Sequence, residues 1–87
     1  MHAVGRASKN IPIFINITYL GNPDRDDFVA FVGKGVCFDS GGLDIKSAEN
    51  MKNMYLDKHG ACSVFAAFKA IVEEKVKINL TLSMGYV

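Results

Sequence analysis

The chain has 87 residues, 49% of them hydrophobic, and a formal net charge of +1. That length bounds it to one domain or less with a marginal core, and its apolar content excludes a disordered tail. The interspersed charges exclude the basic stripe of a nucleic-acid binder, and apolar runs such as Phe28–Gly33 are too short to cross a bilayer.

Met1–Arg6 reads as the end of a helix, with no apolar run behind it to suggest a signal peptide. Ile13, Ile15, Ile17 and Tyr19 alternate with Phe14, Asn16 and Thr18, which predicts a strand with one face more buried than the other. Gly21–Asp27 is turn-rich and expected to be exposed. Phe28–Val32, ended by Gly33, reads as a central strand buried on both faces, and the two strands are expected to pair as a hairpin. Lys34 to about Lys58 is irregular, and long loops within compact domains are usually functional.

A helix is predicted from about Gly60 to Lys75. Its apolar stripe is Ala61, Phe65, Phe68 and Val72, widened by Val64 and Ile71. Ile78–Met84 is the last strand. The order strand–strand–loop–helix–strand predicts an α/β fold: a partial mixed sheet with helices packed on it and a parallel strand–helix–strand unit. The closing residues Leu80–Val87 form an apolar strand with no cap or turn after it, so the chain is expected to be part of a larger protein.

The stretch from Val32 to Lys46 carries the chemistry. It begins at the C-terminal end of a strand, where open α/β sheets place their sites. Glycines flank Lys34 and follow Asp39, so the backbone can turn sharply there. Asp39 offers two oxygens, enough to bridge two divalent cations, and Asp57 adds another hard oxygen. Taken singly, these residues have plainer readings: Asp39 as a turn or cap, Lys46 as a solvated lysine, Met54 as core. His59, Cys62 and Cys37 give only three of the four donors a structural zinc site wants, so the cysteines are expected as free thiols in a reducing compartment. The phosphate-loop, calcium-loop and serine-nucleophile patterns all fail on their flanking residues.

The combined pattern resembles the leucine aminopeptidase (cytosol aminopeptidase) family. Lys34, Asp39, Lys46 and Asp57 follow one another at intervals of five, seven and eleven. They stand within Val32-Gly33-Lys34-Gly35, Phe38-Asp39-Ser40-Gly41-Gly42, Ile45-Lys46 and Asn50-Met51, with Met54 before Asp57. Ala3–Ser8 is similar to the segment upstream, so the resemblance covers nearly the whole chain.

The resemblance implies that residues 1–87 are an incomplete N-terminal part of a catalytic domain. It implies a two-metal exopeptidase releasing N-terminal, preferably apolar, residues from peptides. Asp39 would bridge two divalent ions, zinc or manganese with magnesium as a further candidate, and Lys34 and Asp57 would ligate one of them. Lys46 would act as a cation over the substrate carbonyl, and Met54 would line the pocket for the first side chain. Lysine ligates only as a free amine, so burial and the dications are expected to depress the pKa of Lys34. The resemblance further implies a cytoplasmic, hexameric full-length protein with peptide substrates, and neither nucleic acid nor membrane as partner. Two departures stand out. His59 replaces an expected glycine, and the family's Asp-x-Glu ligand pair and arginine are not in these 87 residues. The alternative expectation is a truncated or catalytically inactive relative serving as a structural or binding subunit.

Overall fold

The computed structural model describes all 87 residues. After a one-turn helix α1 (His2–Gly5) come the strands β1 (Ile13–Leu20) and β2 (Val29–Gly35). A short helix α2 (Ala48–Lys52) and a 3-10 turn at Met54–Leu56 lead into helix α3 (His59–Glu73) and strand β3 (Asn79–Tyr86). The α/β fold is the one the residue pattern predicts: a three-stranded mixed sheet with α3 packed on one face.

The strand order corrects one expectation. The sheet runs β1-β3-β2, so β1 and β2 do not form a hairpin. β3 lies between them, antiparallel to β1 (Ile15 opposite Met84, Ile17 opposite Leu82) and parallel to β2 (Phe31 opposite Leu82). β3 takes the centre because it carries the most completely buried side chains, Leu80 and Leu82, and a central strand hydrogen-bonds on both edges. The Gly21–Asp27 connection then passes the start of β3, where the buried Asn79 clips it. Asn79 Nδ2 donates to the Arg25 carbonyl at 2.7 Å, and its Oδ1 accepts from Asn22 N at 3.0 Å.

β2 is accordingly an edge strand and not one buried on both faces. Phe31 and Gly33 face α3, while Val32 is 76% exposed. It also runs past Gly33 to Gly35, because β3 continues to Tyr86 opposite it. The core beneath the sheet is Ala61, Phe68, Leu80, Leu82 and Met84, with Ile15, Ile17, Tyr19, Phe31, Val64, Ile71 and Val72 packed around it. Phe65, placed in the α3 stripe by its spacing, is exposed instead: Ala61, Val64, Phe68, Ile71 and Val72 already fill the surface the sheet offers.

Both ends of α3 are set by backbone chemistry. At its start, Gly33 and Ala61 touch so closely that a Cβ on Gly33 would lie 2.6 Å from Ala61 Cα. At its end, Val76 N bonds Ile71 O and Lys75 N bonds Val72 O, both at 3.1 Å, a Schellman closure that turns the chain into β3. Lys75 occupies the left-handed position there, with φ 51°. The irregular stretch between β2 and α3 is more ordered than its composition predicts. Ser47 Oγ caps α2 by accepting from Asn50 N at 3.3 Å, with Glu49 in the first turn complementing the helix dipole.

Candidate active site

Lys34 is the penultimate residue of β2, at the strand end where the chain leaves the sheet. Two backbone constraints bring Asp57 to it. Val36 N donates to the Asp57 carbonyl at 3.2 Å, and the start of α3 lies so near β2 that a Cβ on Gly60 would sit 3.3 Å from Lys34 N. The result is an ion pair, Lys34 Nζ to Asp57 Oδ2 at 2.8 Å.

The loop after β2 brings the second pair together. Gly41 and Gly42 adopt φ values of 78° and 141°, which side-chain-bearing residues rarely take. Ser40 braces this turn: its Oγ donates to the Gly42 carbonyl at 3.0 Å and accepts from Gly42 N at 3.3 Å. The chain folds back so that Lys46 N bonds the Ser40 carbonyl at 3.3 Å. That return is the physical content of the seven-residue interval between Asp39 and Lys46. It closes a short, part-buried ion pair between the Asp39 carboxylate and the Lys46 ammonium.

The two pairs meet at one open cleft of about 500 Å³, lined by Lys34, Lys46, Asn50, Asn53, Met54, Leu56, Asp57 and His59. Asp39 is joined to it through Lys46. Met54 is buried against Lys46, its Sδ 3.4 Å from Nζ. Asn53 is a site-lining residue that the motif does not name, and Asn50, present in the motif without a role, lines the cleft beside it. His59, the first residue of α3, is exposed at the cleft. The close approach of the helix start to β2 is made at Gly60, where a Cβ would sit 3.3 Å from Lys34 N.

Among the chain's own groups, the electrostatics at Lys34 are set by its carboxylate neighbours. Its ammonium is held above the ordinary lysine value, first by the hydrogen bond to Asp57, then by attraction to that carboxylate, with slight desolvation opposing and Asp39 adding a smaller pull. Lys34 is exposed rather than buried, so burial does not depress it below the ordinary value, and its carboxylate neighbours act in the opposite direction.

The donor set suits a divalent cation in kind: carboxylate oxygens from Asp39 and Asp57, and an amine nitrogen once Lys34 loses its proton. It falls short in number. No three His, Cys, Asp or Glu side chains stand close enough together to hold a metal ion. The two cysteines are free and exposed.

Comparison with known proteins agrees with the motif. The catalytic-domain model of the cytosol aminopeptidase family matches residues 1–87. A probable cytosol aminopeptidase of a Sulfurihydrogenibium species is 50% identical over 78 residues, covering 90% of this chain and 15% of the relative. A probable cytosol aminopeptidase of Vibrio parahaemolyticus is 47% identical over 79 residues, and the cytosol aminopeptidase of Vibrio cholerae 44% over 79; each match covers 90% of this chain and 16% of the relative. The chain thus spans about a sixth of the length of these curated relatives. Its motif, its α/β fold and a family match over its whole length place this chain in the cytosol aminopeptidase family.

Proposed function

We propose that these 87 residues form part of the active site of a metal-dependent aminopeptidase that removes N-terminal, preferably leucine-like, residues from peptides. The observation that carries the reading is the convergence of Lys34, Lys46 and Asp57 on one cleft at the end of β2, with Asp39 tied to it through Lys46. Asp39, Asp57 and the unprotonated amine of Lys34 would hold the metal ions, zinc or manganese by this donor set, with ligands from outside these residues completing the shell. Bound divalent ions supply Lewis acidity and lower the pKa of a water molecule.

The chain's own residues do the rest. Lys46 places a cation where negative charge grows on the scissile carbonyl oxygen, an interaction worth more in the transition state than in the ground state. Met54 gives the first side chain an apolar wall. Cytoplasmic residence belongs to the same proposal, supported by the names of the relatives, and a hexameric full-length protein is what the family resemblance implies. No helix here is long and apolar enough to cross a membrane. The inactive-relative reading drew on His59, which is exposed at the cleft, and more heavily on the Asp-x-Glu pair and arginine that are not in these 87 residues.

The test is release of chromophore from a leucyl amide by the full-length protein with added zinc or manganese. Activity lost in Lys46→Ala and restored by neither metal supports the reading; a metal-loaded full-length protein that hydrolyses no aminoacyl amide overturns it.

A further inference from the structure

Lys46 has more partners than a cation over a carbonyl requires. Its Nζ lies 3.4 Å from the Asp39 carbonyl, within reach of the Asp39 carboxylate, and 3.4 Å from Met54 Sδ. Met54 is the one buried residue of the cleft lining, 9% exposed. It opens the 3-10 turn before Asp57, and its carbonyl accepts from Asp57 N at 3.1 Å. One residue therefore touches both halves of the site, the lysine through sulfur and the aspartate through backbone.

We infer that Met54 is a positioning residue for Lys46, its thioether fixing the ammonium for catalysis in addition to forming a wall for the substrate. The chemistry of the three acceptors supports the assignment. Lysine has a flexible four-carbon stem, so an ammonium serving as electrophile must be fixed by contacts along its length or at its tip. The Asp39 carboxylate fixes the tip, but it also neutralises the charge, and its oxygens are the ones a metal would take. A thioether is a weak, neutral, polarisable acceptor. It orients the ammonium without cancelling the charge that polarises a carbonyl, and it remains available when Asp39 is otherwise engaged. Burial of Met54 beneath the lysine makes the contact a fixed one.

This inference rests on the aminopeptidase reading, and the experiment separates the two. In the full-length protein, Met54→Leu keeps volume and removes sulfur. The expected result is a fall in kcat of about tenfold with KM and metal content unchanged, by the same factor for leucyl, alanyl and arginyl amides, since the contact acts on the carbonyl and not on the first side chain. In a Lys46→Ala background Met54→Leu should have no further effect, the mark of two residues acting through one another. Met54→Gln, which restores an acceptor, should retain more activity than Met54→Leu. A wall-only role gives the opposite pattern: altered KM, changed discrimination among the three amides, and an effect that persists without Lys46. That pattern, or equal kcat in Met54→Leu and wild type, overturns the inference. A wild-type protein inactive on all three amides instead overturns the function reading beneath it.

Discussion

Gly33→Ala tests the contact on which the site is built. The added methyl would lie 2.6 Å from Ala61 Cα, 2.6 Å from Val64 Cγ2 and 3.1 Å from Ala61 N. Carbon atoms in ordinary contact sit about 3.5–4.0 Å apart, so the overlap is roughly 1 Å. Val64 can rotate away, but the Ala61 backbone cannot without α3 moving. Overpacking of this kind costs about 1–3 kcal/mol. The displacement also has a direction. Gly60 lies against Lys34, so pushing α3 off β2 opens the junction where Lys34 and Asp57 meet. The full-length variant should unfold at lower urea concentration and bind zinc or manganese more weakly by titration calorimetry. Unchanged unfolding midpoint together with unchanged metal affinity would refute the claim that the β2–α3 contact sets the site.

In the full-length protein, Lys46→Ala should lower turnover at least a hundredfold with metal content nearly intact, since its role is charge in the transition state. Asp39→Ala should lose metal, and equal metal loss in both variants, measured by atomic absorption, would contradict this division of roles. The raised pKa of Lys34 means that its pairing with Asp57 stabilises the metal-free protein at neutral pH. That contribution should vanish as pH rises past the ordinary lysine value and through the folded-state one, and Lys34→Met should remove this alkaline loss from unfolding curves. Metal ligation needs the free amine, so metal affinity should rise with pH and binding should release a proton, detectable by calorimetry in buffers of different ionisation enthalpy. Lys75→Gly should be neutral or stabilising by up to about 1 kcal/mol in thermal unfolding, because glycine takes the left-handed φ of 51° without strain.

The local elements were legible from residue pattern because each is governed by a short-range rule. Alternation at Ile13–Tyr19 gave β1 and its half-buried face, and the four-three-four spacing of Ala61, Phe65, Phe68 and Val72 gave α3, although Phe65 lies exposed. Strand order was not legible. Adjacent strands joined by a turn-rich linker suggest a hairpin, yet β3, which is far off in sequence and no more apolar than β1, takes the place between them, and the Asn79 clip that holds the linker is invisible without coordinates. The same limit applied to β2, whose unbroken apolar run fits a central strand and an edge strand equally.

The four motif residues were found by their intervals. What the intervals could not show was their pairing: Lys34 with Asp57 and Lys46 with Asp39, each lysine neutralising one candidate metal ligand. Nor could a motif written in side chains reveal the backbone bond from Val36 to Asp57 that sets the first pair.

These pairings bear on what the 87 residues can do by themselves. Two carboxylates and one amine are few donors for two dications, and both carboxylates face lysines. Metal binding must first displace those contacts and a proton, which lowers apparent affinity. Packing adds to the difficulty. The radius of gyration is 16.1 Å, against roughly 12 Å for a compact domain of this length. Only 10 of 87 residues are buried, while Ile11, Phe14, Val32, Leu43 and Ile45 are each more than half exposed. A chain with so small a core has little stability from which to organise a metal site. The segment expressed alone should therefore be poorly soluble, bind zinc or manganese weakly by calorimetry, and release no chromophore from a leucyl amide. Turnover by the purified segment, abolished by Lys46→Ala so that a contaminating peptidase is excluded, would show that two carboxylates and an amine suffice and that the donor argument is wrong.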